Sequence, residues 1–325
     1  MEKILAGIGA VLATLIVLAI FLTNHEVAQR HAKTSVAMFD LDPAQVDRIA
    51  IEGAADQQTV LLRSGDGWRL PDFGNFPADR QRIEDMLHRL LAIREDFPVD
   101  SSPEALIRFK LADDDFERRI ILSGGDKTLA TLYVGTPEGP RQVHARRAGS
   151  DDAYAVAFGL FDVPLAAADW TDKGVAQIPQ DDIVALQVNG LHLVAPIAGD
   201  AGTAWQLDGD AEGSPEGAEL KPAAAVRLAS RLSALRVEQV LGTETDPGDG
   251  LAEPQLRLGV TRKDGKRVDY RLGRAAMTGV YTLKVSTRPE HFRVSSYTAH
   301  QLIEAARRDT LLAKPKQNVA APLSN

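Results

Sequence analysis

The chain has 325 residues, of which 44% are hydrophobic and 25% charged, and its 37 lysine and arginine residues against 45 aspartate and glutamate residues give a net charge of −8. These proportions are typical of a globular protein and exclude a disordered or collagen-like chain. An acidic balance without a lysine- or arginine-rich run argues against nucleic-acid binding. The chain contains no cysteine, which excludes disulfides, thiolate metal sites and cysteine nucleophiles.

The first predicted element is an apolar run over residues 4–22, in which Thr14 is the one polar side chain. As a helix, this run of 19 residues spans about 28 Å, close to the hydrocarbon thickness of a bilayer. A cleaved signal peptide and a buried soluble helix are the competing interpretations, but a signal peptide usually has a shorter apolar region of about 7–15 residues. We therefore predict a cytoplasmic stub and a transmembrane helix over residues 1–23. Small residues on this helix are candidates for packing against another membrane helix: Ala6, Gly9, Ala10 and Ala13.

A linker over residues 24–40 is predicted to come after the helix. The charged residues on the two flanks are balanced, so the positive-inside rule does not decide the orientation. A single early apolar segment usually directs the remainder of its chain across the membrane, and we expect a single-pass protein of the cytoplasmic (inner) membrane with its body on the periplasmic side.

Residues 41–312 carry one pattern of apolar residues twice. The matching positions are displaced by 137 or 138 residues, and the clearest pairs are Val46 with Ile183, Ile49 with Leu186, Ile51 with Val188, Trp68 with Trp205, and Gly135 with Gly273. A nearly constant offset at so many positions indicates a tandem duplication. We predict two repeats, over residues 41–172 and 173–312, and a disordered tail over residues 313–325.

The predicted fold class is α+β. Alternating strands open both repeats, and in the first repeat an amphipathic helix follows Asp79, its predicted N-cap. The apolar residues of that helix recur at helical spacing: Ile83, Met86, Leu87, Leu90 and Leu91. Hairpins come next, and a strand with a short helix closes each repeat, over residues 162–169 and 299–308. The expected architecture is an N-terminal transmembrane helix and two tandem repeats, each a mainly antiparallel sheet with a packed helix.

Five short motifs occur in an order that resembles a bacterial family, the domain of unknown function DUF4340. They lie at residues 46–51, 68–70, 132–135, 169–173 and 181–186. The resemblance implies an anchored envelope protein that works with the permease, the ATPase and a gliding-type auxiliary subunit of an ABC exporter. It implies no catalytic residue.

The sequence contains no established catalytic or ligand-binding motif: no nucleophile elbow, no phosphate-binding loop and no paired histidines at metal-ligand spacing. Residues 208–219 match part of a calcium-binding loop, but Pro215 and the absence of an entering helix favour an ordinary acidic loop. We therefore predict no catalytic residue, no cofactor and no metal site.

One compact basic group remains as a candidate contact for a partner or ligand. It consists of Arg141, His144, Arg146 and Arg147. An ordinary charged strand face is the competing interpretation.

These observations favour a membrane-anchored, non-enzymatic accessory or scaffold subunit acting with an ABC-type export system of the cell envelope. The alternative is a periplasmic binding module that holds an envelope lipid or polysaccharide in the cleft between the two repeats. A hydrolase with an unrecognised site is the third hypothesis.

Overall fold

The computed structural model describes residues 36–196, 204–208, 218–244 and 246–313. The predicted transmembrane segment, with Ala6, Gly9, Ala10 and Ala13, lies outside these residues, as do most of the predicted linker and residues 314–325 of the predicted tail. Within the described ranges, no helix combines the length and the apolar character that crossing a membrane requires. The chain divides into two compact units, Met1–Asp172 and Lys173–Asn325.

The predicted α+β class is wrong. The described residues form a mostly β fold with three sheets, 18 strands and few helices. Several strands have only two or three residues, too few for an alternating pattern to be visible in the sequence, and they exist because a neighbouring strand pairs with them. The helix predicted to close the first repeat is replaced by two short 3₁₀ turns, Leu160–Asp162 and Ala167–Trp170.

The first unit contains ten strands and two α-helices within the described residues. The strands are β1 (Val36–Ala37), β2 (Arg48–Glu52), β3 (Gln58–Ser64), β4 (Gly67–Leu70), β5 (Phe76–Ala78), β6 (Arg94–Glu95), β7 (Arg118–Gly124), β8 (Lys127–Gly139), β9 (Gln142–Arg147) and β10 (Tyr154–Val156). The helices are α1 (Arg80–Leu91) and α2 (Pro103–Arg108). Strands β1 and β6 pair with each other, and the other eight form one antiparallel sheet in the order β10-β9-β8-β7-β2-β3-β4-β5.

The second unit contains eight strands and three α-helices within the described residues. The strands are β11 (Ile183–Val188), β12 (Leu191–Val194), β13 (Gln206–Leu207), β14 (Gln239–Gly242), β15 (Leu256–Arg262), β16 (Arg267–Arg274), β17 (Tyr281–Val285) and β18 (His291–Val294). The helices are α3 (Pro222–Ser233), α4 (Ser296–Ala306) and α5 (Arg308–Leu311). All eight strands form one antiparallel sheet in the order β13-β12-β11-β15-β16-β17-β18-β14.

The two large sheets place equivalent strands in the same order. Strands β4, β3, β2, β7, β8, β9 and β10 of the first sheet correspond to β13, β12, β11, β15, β16, β17 and β18 of the second. The extra strand differs: β5 extends the first sheet beside β4, whereas β14 extends the second beside β18. Tandem β-sheets of matching topology are therefore the framework of the chain.

Helix α1 contributes its apolar stripe to the core of the first unit. Its buried side chains Ile83, Met86, Leu87 and Leu90 belong to the same hydrophobic cluster as the inward-facing residues of the sheet. Burying each such side chain contributes about 1.5–3 kcal/mol. The predicted cap is confirmed, since the Asp79 carboxylate accepts a hydrogen bond from the backbone N–H of Arg82 at 3.1 Å.

A glycine at equivalent positions lets a connecting segment cross the other face of each sheet, which we call the outer face. A Cβ atom added to Gly135 on β8 would lie 1.9 Å from the carbonyl oxygen of Phe109, and one added to Gly273 on β16 would lie 2.5 Å from the backbone of Gly250. Real Cβ atoms do not approach so closely, so both crossings require glycine. The two outer faces differ in which of their residues the crossing segment covers.

Candidate functional site

The four residues of the predicted basic group do not form one surface. Three of them lie on β9, where successive side chains point to opposite faces of the sheet, so His144 and Arg146 share the outer face and Arg147 points the other way. Arg147 lies 3.5 Å from a carboxylate oxygen of Glu95. Arg141 lies in the preceding turn with a φ of 59°.

Arg146 is a buried structural residue, 4% exposed. Its Nε donates to the carbonyl oxygen of Leu111 at 2.7 Å and its Nη1 to that of Ser150 at 3.0 Å. The guanidinium also lies 4.4 Å from the ring centre of Tyr133. Its Nη2 donates to Asp113, and this hydrogen bond lowers the pKa of the Asp113 carboxyl. With these partners in place, the guanidinium of Arg146 is directed into the protein and away from a ligand.

His144 is also buried, beneath the segment of residues 109–116 that crosses this face and that we call the covering layer. Its ring stacks on Phe109 with the ring centres 3.8 Å apart, and its Nδ1 lies 3.0 Å from the carbonyl oxygen of Thr136. Around it, Leu111, Tyr133 and Ala153 form a small hydrophobic cluster that seals this part of the outer face. Two of the four residues of the predicted basic group, His144 and Arg146, therefore hold down the covering layer of the first unit.

Strand register places Arg146 at the end of a row that crosses four strands of the first sheet. Glu52 on β2 is opposite Arg119 on β7, Arg119 is opposite Tyr133 on β8, and Tyr133 is opposite Arg146 on β9. Every charge in this row has a partner: Arg119 pairs with Glu52 at 2.5 Å, and Arg146 has the contacts given above. We call these four residues the first row.

The equivalent row of the second sheet has a different composition. The offsets of 137 and 138 residues carry Glu52, Arg119, Tyr133 and Arg146 to Asn189, Arg257, Arg271 and Lys284. Register confirms the alignment of the last three, because Arg257 is opposite Arg271 and Arg271 is opposite Lys284. We call Asn189, Arg257, Arg271 and Lys284 the second row. Asn189 takes the place of the Glu52 carboxylate, and Arg271 takes the place of the Tyr133 ring. Like charges therefore face one another across neighbouring strands.

The accessible charges of the second row are Arg257 and Arg271, both exposed. Among the described residues, neither guanidinium is within ion-pair distance of a carboxylate, and the best contact of Arg257 is a long 3.5 Å hydrogen bond to the carbonyl oxygen of Ala252. Lys284 is half-buried and donates to the carbonyl oxygen of Pro289 at 2.5 Å. Like charges directly opposite each other destabilise a sheet. The pair Arg257–Arg271 therefore lowers the stability of the second sheet, and packing does not explain its presence.

His291 on β18 lies opposite Lys284, at the far end of the second row. It is buried, and its Nδ1 has no hydrogen-bond partner among the residues that the structure describes. That nitrogen is also closed off from solvent, and Lys284 is anchored to carbonyl oxygens. The accessible charges of the second row are therefore those of Arg257 and Arg271.

A third arginine joins these two around an open depression of about 720 Å³. Arg267 on β16 pairs with Asp269 at 2.8 Å, and its guanidinium lies over Gly259, where an added Cβ would meet Nη2 at 2.5 Å. Gly259 thus leaves the space that holds this guanidinium flat against the sheet. We call Arg257, Arg267 and Arg271 the arginine face, and it is the candidate functional site.

Residues 68–254 of the chain match the family described as Domain of unknown function (DUF4340). The match covers more than half of the chain and includes parts of both units. The chain belongs to the DUF4340 family. In this DUF4340 chain the match ends at Pro254, three residues before Arg257, so the arginine face lies beyond the matched range. Neither the curated proteins nor the solved structures contain a significant match.

Sequence reasoning missed the arginine face, although the signal for it was present. The offset that relates Tyr133 to Arg271 also relates Arg119 to Arg257 and Glu52 to Asn189. Applied to the charged residues, it shows that an ion pair of the first repeat has lost its carboxylate in the second. The described residues contain no group of three or more acidic or histidine side chains placed to hold a metal ion. Of the calcium-loop residues, 209–217 lie outside the described ranges.

Proposed function

We propose that this DUF4340 chain is a non-enzymatic accessory subunit that binds a protein partner of an ABC-type export system in the cell envelope. The export system, with its permease, ATPase and gliding-type auxiliary subunit, comes from the family resemblance. The observation that carries the binding role is the arginine face, where two exposed guanidiniums without a carboxylate partner among the described residues lie directly opposite each other.

The contrast between the two outer faces supports a role in binding for this face. The first row demonstrates that the same sheet topology can be completed with a carboxylate, an aromatic ring and a covering layer. In the second unit the like-charged pair remains exposed, at a cost of about 0.2–1 kcal/mol. Arginine is enriched at protein interfaces because its planar fork binds carboxylates in two parallel hydrogen bonds. An acidic surface on a partner would offset the cost.

The expected location is the cytoplasmic (inner) membrane. Residues 4–22 would anchor the chain there as a single pass, and the two β units would lie on the periplasmic side. A tethered protein meets its membrane partners at a high local concentration, so a modest interface is sufficient.

Affinity purification of the full chain from detergent-solubilised membranes tests this function. We expect the wild-type chain to recover a permease and an ATPase, and the double variant Arg257→Gln/Arg271→Gln to recover less of both. The matched control is Arg227→Gln/Arg231→Gln, which removes the same charge from the exposed side of helix α3. Repeated recovery of the wild-type chain alone would contradict the proposal.

A second candidate function is a binding module for an envelope lipid or polysaccharide. The size of the depression beside the three arginines, about 720 Å³, favours it, since pockets of 300–1,000 Å³ suit small organic groups. Mass spectrometry of lipids and glycans extracted from the purified chain separates the two candidates. A stoichiometric anionic lipid or glycan that is lost in Arg257→Gln/Arg271→Gln would support this second function.

A further inference from the structure

We propose that the arginine face binds an acidic helical segment of the partner protein, with carboxylates on one side of that helix. This inference rests on the proposed function and names the chemistry of the surface that the partner presents.

Spacing is the first argument. Residues directly opposite on antiparallel strands have their Cβ atoms about 4.5–5.5 Å apart, and Arg257 and Arg271 are such a pair. Acidic residues three or four apart on a helix have their Cβ atoms about 5–6 Å apart. Two neighbouring glutamates of a helix that crosses the strands therefore reach both arginines together.

The chemistry of the cations is the second argument. All three exposed cations of the face are arginines, whose fork geometry matches a carboxylate in two parallel hydrogen bonds, whereas the lysine of the row is anchored to the carbonyl oxygens of Pro289 and Glu290. Arg267 is held against Gly259 and paired with Asp269, so its orientation is fixed before a partner arrives. A pre-oriented guanidinium loses less side-chain entropy on binding.

The shape of the face is the third argument. The depression is open, and its floor is formed by three adjacent strands, β11, β15 and β16. A single small anion would leave most of the depression unfilled. A helix is about 10–12 Å across with its side chains, which allows it to lie over several strands.

A peptide titration with the full chain tests the inference. The probe is a fluorescent alanine-rich helix of about 20 residues, long enough to be helical in water, with glutamates at positions three and four apart on one side. The control peptide has the same composition with its glutamates distributed around the helix. Fluorescence anisotropy at low ionic strength gives both dissociation constants.

We expect the one-sided peptide to bind at least about tenfold more tightly than the control peptide. Arg257→Gln/Arg271→Gln should remove this preference, because losing a charge-assisted hydrogen bond costs about a factor of ten or more. Arg227→Gln/Arg231→Gln should retain it. Arg267→Lys, which keeps the charge but not the fork, should weaken the binding of the one-sided peptide. Circular dichroism of each variant verifies that it is folded.

Three outcomes of the binding titrations would overturn the inference. One is equal binding of the two peptides, and another is equal weakening by the control variant, because both indicate nonspecific charge attraction. The third is arginine-dependent binding of polygalacturonate without binding of the one-sided peptide, which assigns the face to an anionic glycan. If membrane purification recovers the permease and the ATPase with wild type and Arg257→Gln/Arg271→Gln alike, the accessory role with the export system stands, but the arginine face is not its binding surface and this inference fails. If the peptide binds as expected but no transporter subunit is recovered, this inference stands and the proposed function fails.

Discussion

On the outer face of the first sheet, Arg146 lies beneath a covering layer, donates to two carbonyl oxygens and stacks over Tyr133. On the outer face of the second sheet, the equivalent strand carries Lys284, and the position of Tyr133 is occupied by an exposed arginine, Arg271. The strand order is the same in both sheets. One copy of the framework therefore uses Arg146 to close a surface, whereas the other presents Arg257 and Arg271 to solvent.

The shared β framework and the chemistry of its outer face are therefore independent of each other. The framework needs the buried inner faces and the glycine at each crossing, and both units have these. The outer row can differ between the two copies, because its residues contact the cover and not the core. A duplicated sheet can thus keep its fold from one copy to the next while one copy acquires a binding surface.

The largest predicted effect tests the framework that the two units share. Replacing Gly135 or Gly273 with alanine should lower the free energy of unfolding of the affected unit by about 3 kcal/mol or more, because the new methyl group overlaps a backbone that crosses above it. Urea unfolding of the full chain measures the loss. In the control Gly67→Ala, where an added Cβ meets no atom within 4 Å, the change should be about 0.5 kcal/mol or less. A neutral Gly135→Ala would mean that the crossing segment does not lie against β8.

An intermediate effect tests the difference between the two rows directly. Arg146→Met leaves the carbonyl oxygens of buried Leu111 and half-buried Ser150 without their donor, and it should cost about 2–4 kcal/mol. Lys284→Met at the equivalent position should cost about 1 kcal/mol or less, because Lys284 is half-buried and its shorter hydrogen bond goes to Pro289, an exposed residue whose carbonyl oxygen can bind water. Hydrogen exchange of peptides from each unit measures both losses. Similar losses would contradict the distinction between a sealed and an open row.

The smallest effect concerns the like-charged pair. Arg257→Gln/Arg271→Gln should leave the free energy of unfolding unchanged or raise it by about 0.2–1 kcal/mol, since it removes a repulsion across neighbouring strands. Arg119→Gln at the equivalent position of the first unit should instead lower stability by about 0.5–1 kcal/mol, because Glu52 loses its partner. Thermal melting at low ionic strength distinguishes the unchanged or higher stability expected of the double variant from the lower stability expected of Arg119→Gln. A destabilised double variant would indicate that the two arginines have a structural role.

Part of the fold could be predicted from the sequence. The helical spacing of Ile83, Met86, Leu87 and Leu90 and the capping Asp79 predicted α1, which begins at Arg80. The fold class could not be predicted, because strands as short as β5 and β10 show no alternation and depend on pairing with distant strands.

The candidate site was harder to predict than α1. Proximity in sequence grouped Arg146 with Arg147, yet strand alternation directs them to opposite faces. The arginine face combines residues of β15 and β16, and their cross-strand register becomes visible only once the sheet is assembled. Comparing the charges of the two repeats position by position would have located it.

Labelling with an arginine-selective dicarbonyl reagent, followed by mass spectrometry of the full chain, distinguishes exposed arginines from buried ones. We expect Arg257 and Arg271 to react in the folded chain at rates close to those in the unfolded chain, while Arg146 stays unmodified until the chain unfolds. Protection of Arg257 and Arg271, or modification of Arg146 at their rate, would contradict the claim that one row is sealed and the other open.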